Sequence, residues 1–311
     1  MMKNILKKRV LIILLCTTAL LFASFNLFSC YGDNPLPQKK EVTTIFDNFP
    51  ANDGIAVDVY GTVFAANYGQ FVQTGGDGST VLQANPFKKV FDTIASGLIN
   101  PVGTAVDSEG TIYVSNANNF VSGEVTQLNS DGSKVILATI EGYPSGITVD
   151  EHDNLYIANY LKGLVHKIDT EGKLSVYAQD ERLFGGVGID FDNDGNLVVG
   201  NLITGDVLSI NPSGQTNLVT TIPTVQQFSV IGYITYFKNH IYATVGAENR
   251  IYKISLETGE FEVFAGNGEA ASTDGPVLEA SLNRPNGITV DPYRKILYIT
   301  EFGNRLRAIS L

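Results

Sequence analysis

Four oxygen-bearing side chains, Asp53, Asn67, Asn286 and Glu301, stand at related points of an internally repetitive chain, where together they could hold a divalent cation. Two carboxylates and two amides make a donor set that suits Ca²⁺ at moderate affinity. A cation held there would polarise an ester or lactone carbonyl and lower the pKa of a bound water, with Glu301 or Asp53 as the base. A second set could bind without catalysing. Ser145, Asn116, Asn159 and Asn201 offer polar groups, and Tyr68, Tyr160, Phe120 and Phe302 offer ring faces on which a sugar or an apolar ligand stacks.

Each set has a plainer reading beside it. Asparagine tolerates left-handed backbone and bonds its own chain in tight turns, so an Asn that recurs at strand corners also reads as a cap. The aromatic rings could equally pack strand against strand. Other constellations are weaker still. There is no Gly-x-Ser-x-Gly elbow and no His-Glu-x-x-His pair. His152 and His240 fall in turns and His166 in a strand, which leaves a histidine-based hydrolase without its base. Asp190-Phe-Asp-Asn-Asp-Gly195 matches the first half of a calcium loop, but the twelfth position is Asn201 rather than Glu, and a turn explains it better. Thr74-Gly-Gly-Asp-Gly-Ser79 is read as a hairpin tip, since neither a helix nor Gly-Lys-Ser/Thr follows.

The elements that must position these residues are copies of one hairpin. In Pro144–Asn159, Ile147 and Val149 alternate with polar neighbours, Glu151 to Asn154 supply turn chemistry, and Leu155-Tyr-Ile-Ala158 is a second β-rich run. Gly146, Asp150 and Asn159 recur at the same spacing as Gly54, Asp58 and Asn67, as Gly103, Asp107 and Asn116, and as Gly188, Asp192 and Asn201. Looser copies open at Gly232, with Tyr236 and Val245, and at Gly287, with Asp291 and Glu301. The steps between the six glycines are 49, 43, 42, 44 and 55 residues, about the length of a four-stranded propeller blade. Thr43-Thr-Ile-Phe-Asp47 resembles the fourth strand of other copies, and Leu311 directly follows a third strand. The fold expected is therefore all-β, a six-bladed β-propeller of four-stranded blades over residues 42–311, its last blade closed by the N-terminal strand. In that arrangement the residues before each glycine (Asp53, Val102, Ser145, Val187, Ile231 and Asn286) and those closing each second strand share one face.

Residues 1–29 read as a signal peptide, with Lys3, Lys7, Lys8 and Arg9 ahead of the apolar run Val10 to Phe28. Leu27-Phe-Ser-Cys30 resembles a bacterial lipobox, so Cys30 is the expected lipidation site and residues 30–41 a tether. An uncleaved anchor or plain secretion remains the alternative; all place the fold outside the cytoplasm, and the lipid-anchored reading places it in a bacterial cell envelope. Removing the signal leaves no cysteine but Cys30, hence no disulfide. It also leaves 17 basic against 32 acidic residues, a formal charge of −15. Such a surface repels phosphate backbones and excludes nucleic acid as a natural partner.

Gly266-Asn-Gly268, Asp274-Gly275, Ala280-Ser-Leu-Asn-Arg-Pro-Asn-Gly-Ile-Thr-Val-Asp291 and Gly303-Asn-Arg-Leu306 resemble the NHL-repeat signature, echoed by Glu248-Asn-Arg-Ile251. The other copies are similar both to NHL repeats and to the senescence-marker-protein/gluconolactonase superfamily. The resemblance covers residues 42–311 and implies a six-bladed propeller, but its members include binding platforms, metal-dependent lactonases and lyases. Its lactonases set Glu, Asn and Asp around one axial metal, several just before a repeat glycine; here Val102, Val187 and Ile231 occupy three of those six positions. The favoured expectation is a lipid-anchored module binding a protein, a small molecule or a carbohydrate, with membrane contact through its lipid. The alternative is a divalent-metal-dependent lactonase or esterase.

Overall fold

The computed structural model describes residues 40–73, 75–223 and 230–311; the signal segment, Cys30 and most of the tether lie outside them. Six antiparallel blade sheets make up the fold, five of four strands and the sixth with a short fifth strand added at its edge. Blade three shows how the sequence builds one. Its strands Pro144–Val149, Leu155–Asn159, Leu164–Ile168 and Leu174–Gln179 pair in chain order. All five residues of Leu155–Asn159 are buried, because a second strand meets neighbouring blades on both of its faces. The outermost strand is mostly exposed.

The first hairpin turns on its repeat Asp. Asp150 Oδ1 accepts the backbone N–H groups of His152 and Asn154, both at 2.9 Å, around Asp153 at a φ of 62°. Asp58, Asp107, Asp192 and Asp291 make equivalent turns. The repeat Asp thus serves the turn between first and second strands in five blades, at the end of the hairpin opposite the second-strand exits.

The repeat glycine has a different cause. First strands of adjacent blades approach so closely that a Cβ on Gly146 would lie 2.0 Å from the carbonyl oxygen of Val187. A side chain would force the blades apart.

The ring closes as expected. The sixth sheet runs Gly275–Pro276, Glu41–Phe46, Arg305–Ser310, Ile296–Glu301, Pro285–Asp291, so the N-terminal strand supplies its fourth member. Asp274 holds it there, its carboxylate accepting Thr44 N–H at 2.9 Å and the Thr44 hydroxyl at 2.7 Å. In blade one, Phe71–Val72 and Gly75–Gly76 form a small extra hairpin within the glycine-rich insertion.

Blade five departs from the register read in the sequence. Ile234 pairs with Ala243, as Ile147 pairs with Ile157, so Tyr233, not Gly232, stands at the repeat-glycine position. Ile231 consequently leaves the channel and packs in the core with Val245 and Ile254. Gly232 takes its place.

Candidate ligand-binding basin

That one-residue offset decides the shape of the channel. Tyr233 lies between blades where glycine is otherwise required, and its ring crosses the axis. Its hydroxyl donates to the Val102 carbonyl on blade two at 3.0 Å. A Cβ on Gly54 would come within 3.1 Å of the Tyr233 ring. The ring thus lines two cavities, one opening on each face.

The cavity on the face of the second-strand exits has a volume of about 530 Å³. Asp53, Ser145, Asn286 and Tyr233 form its floor with Val102 and Val187, and Tyr68, Tyr143, Tyr160, Phe71, Phe120 and Phe302 its wall. The rings are ordered by contact with one another. Phe120 stacks on Tyr143 with centroids 5.4 Å apart, Tyr143 meets Tyr160 edge-on at 5.8 Å, and Tyr160 stacks on Phe184 at 6.4 Å. Depth and rim differ in exposure: Tyr68 and Tyr143 are buried, whereas Phe71 is 73% exposed. The hydroxyls of Tyr68 and Tyr143 hydrogen-bond, and burial pushes Tyr68 up to about 12, so the phenols stay neutral.

Asp53 is the acidic group of this floor. Its carboxyl accepts Gly54 N–H at 3.0 Å and lies against the Tyr233 hydroxyl and the Asn286 amide. Burial raises it from 3.8 to about 7, and the three hydrogen bonds pull only partly the other way. Near neutrality it can therefore either accept or donate a hydrogen bond. Ser145 is placed by its own bonds, its hydroxyl 3.1 Å from the Ala158 carbonyl and 2.9 Å from that of Gly186.

Of the four donors first considered for a cation, the structure brings together Asp53 and Asn286 only. Glu301 is fully buried outside the basin. It binds Arg307 Nη1 at 2.7 Å and accepts from the Ser272 hydroxyl at 2.7 Å and from Asn283 N–H. Asn67 does not line the basin either; its amide donates to the Thr80 hydroxyl at 3.2 Å. Among the described residues no group of three His, Cys, Asp or Glu side chains could share a metal ion. The residues present do not fit the axial metal of the lactonases.

The Asn ring is likewise corrected. Asn159 Nδ2 donates to the Glu141 carbonyl at 2.8 Å, and its Oδ1 accepts from Tyr143 N–H and Leu161 N–H. Asn201 clamps its own corner through the carbonyls of Arg182 and Phe184 and the N–H groups of Ile203 and Thr204. Asn116 donates to the Thr126 hydroxyl at 2.9 Å. These buried amides shape the corners from which Tyr160 and Leu202 project, and none reaches the basin. His166 packs against Asn159, with burial lowering its pKa.

Among the lining residues that sequence reasoning missed are Phe71, Tyr143, Tyr233 and Arg284. Tyr143 was legible as an aromatic residue just ahead of a blade entry; Tyr233 was hidden by the adjacent Gly232. Asp190, read within a calcium-type loop, instead faces the opposite cavity, of about 280 Å³. It accepts Tyr236 N–H at 2.7 Å and the Thr235 hydroxyl at 3.2 Å, while Asp192 makes the turn alone. The two carboxylates serve different sites.

No protein-family model and no curated protein matches this chain. Solved structures do. An auxiliary nutrient binding protein from Bacteroides thetaiotaomicron superposes with a TM-score of 0.72 at 16% identity, over 90% of this chain and 78% of that one. A gluconolactonase from Xanthomonas campestris gives 0.66 at 13%, over 87% and 89%. Virginiamycin B lyase from Staphylococcus aureus gives 0.60 at 16%, over 87% and 98%. Identities this low carry the architecture and no activity. The chain is a six-bladed β-propeller of the kind that these binding proteins, lactonases and lyases share.

Proposed function

We propose that the protein is a lipid-anchored, extracytoplasmic binding module that takes a small ring-bearing ligand, a carbohydrate first among them, into the aromatic basin. The observation that carries this reading is the basin itself. Three tyrosines and three phenylalanines wall a cavity of about 530 Å³ whose floor offers one carboxyl and a few fixed polar groups. Apolar ring faces around sparse polar groups are the usual make-up of a small-molecule site, and such faces stack on sugar rings. Tyr233 gives the basin a floor, so a ligand is stopped rather than passed through. A likeness in fold to a nutrient-binding protein supports the same reading.

Location follows from the sequence. The basic head, the apolar run and the lipobox-like Leu27-Phe-Ser-Cys30 support export and lipidation at Cys30, which would hold the basin beside a membrane of the cell envelope. Radiolabelled palmitate incorporated into the wild type and not into Cys30→Ser tests the anchor.

Binding is tested by titrating mono- and oligosaccharides and simple ring compounds against the full-length protein. At least one class should bind saturably, and Tyr160→Ala should weaken it about three- to tenfold, the range expected for one stacking contact. Absence of binding across the panel would overturn the reading.

A further inference from the structure

Among the described residues there are six arginines, and five of them are paired with carboxylates. The exception is Arg284. Its guanidinium lies over the Phe302 ring, 4.7 Å from the centroid, and both residues line the aromatic basin. No hydrogen bond or ion pair engages that guanidinium among the described residues, although the chain has more acidic than basic groups. Stacking on a ring fixes the plane of the fork and leaves its N–H donors free.

The backbone gives a second, independent observation. Arg284 has a φ of 52°. The carbonyls of Asn100, Tyr143, Gly185 and Arg284 each accept the N–H of the residue that follows the blade's second strand, so the four positions correspond. Where this position is left-handed in blades two and four, it is filled by Asn100 at 49° and Gly185 at 91°, residues that tolerate such angles. In blade six a long cationic side chain is held there at a cost of roughly 1 kcal/mol or more.

We infer that Arg284 receives a carboxylate carried by the ring compound that enters the basin. This rests on the binding reading above and narrows it from ring compounds in general to ring acids. A planar fork accepts a carboxylate through two parallel N–H···O bonds, which orients as well as attracts. The ligand then lies with its ring among Tyr143, Tyr160 and Phe302, its acid group toward Arg284 and its remaining polar edge toward Asp53. Two sources share this chemistry, an acidic sugar and an aromatic acid.

The test pairs each acid with its neutral amide. Glucuronate against glucuronamide, and benzoate against benzamide, are titrated with the full-length protein. In at least one pair the acid should bind about tenfold or more tightly than the amide, as a charge-assisted hydrogen bond predicts. Arg284→Asn, a residue this backbone position accepts at Asn100, should abolish that preference without lowering the melting temperature. Preference for glucuronate alone assigns an acidic sugar, and for benzoate alone an aromatic acid. Amides that bind as well as their acids, or a preference that survives Arg284→Asn, would overturn the inference while sparing ring binding. If none of the four binds while neutral saccharides do, the acid assignment fails alone; if nothing in either panel binds, the basin reading fails with it.

Discussion

The hydroxyl of Tyr233 donates to the backbone carbonyl of Val102 at 3.0 Å, joining blade five to blade two across the axis of the ring. These residues are 131 positions apart in sequence. The same ring lies against Asp53, so one side chain closes the channel, ties two blades together and desolvates the floor carboxyl.

Tyr233→Phe keeps the ring and removes the hydroxyl. It removes one of two donors from the Val102 carbonyl, which keeps the Gly54 N–H at 2.7 Å, and takes away a polar neighbour of Asp53. Loss of about 0.5–1.5 kcal/mol in unfolding free energy is expected, read by urea denaturation. A variant as stable as the wild type would show that the hydroxyl contributes nothing.

Asp53 should make stability depend on pH in a direction opposite to that of a salt-bridged carboxylate. Its pKa is about 7 in the fold against an ordinary value of 3.8, so the folded state keeps a proton that the unfolded chain releases. The resulting stabilisation is fully present below about pH 3.8 and is lost as pH rises through about 7. Between pH 4 and pH 7.5 the melting temperature of the wild type should fall relative to that of Asp53→Asn. Parallel curves for the two proteins would contradict this.

Glu301 and Arg307 are both fully buried, 2.7 Å apart, and Arg307 also binds Asp274 at 2.8 Å. Removing Arg307 strands the buried Glu301 carboxylate, and removing Glu301 leaves the buried guanidinium only the half-exposed Asp274. Glu301→Ala or Arg307→Ala should therefore cost about 3–5 kcal/mol of stability. Ligand affinity per folded molecule should not change, because neither residue lines the basin. A selective loss of binding in stable Glu301→Ala protein would return this residue to the functional site.

Calcium gives a further check. Asp53 and Asn286 are the only members of the four-donor set at the floor, and the Asp53 carboxyl is already engaged by Gly54, Tyr233 and Asn286. Millimolar Ca²⁺ or a chelator should shift the melting temperature by no more than about 1 °C, since a site that binds the folded state must raise its stability. A chelator-sensitive melting temperature that Asp53→Ala abolishes would show a metal at the floor.

The parts legible in the sequence are those set by local chemistry or by strict spacing. The repeat Asp announces its turn through its own backbone bonds, the repeat glycine marks a close approach between blades, and Thr43 to Asp47 carries the pattern of a missing fourth strand. What stayed hidden depends on packing at a distance. Glu301 occupies the Asn position of its blade, and only the facing strand shows that Arg307 neutralises it. Gly232 imitates a repeat glycine one residue early, and strand pairing alone reveals that Tyr233 fills the position and crosses the channel. The corner asparagines have the donor chemistry of a binding ring, but their backbone carbonyl and N–H partners become visible only once the loops are folded.

Whether the aromatic basin above Tyr233 binds the ligand is decided by a crystal structure of the protein with the tightest-binding compound of the panel. The compound should lie between Tyr143, Tyr160 and Phe302, its deeper edge at Asp53, with no density beyond the Tyr233 ring. A ligand bound instead in the opposite cavity beside Asp190, or on the outer strands of a blade, would contradict it.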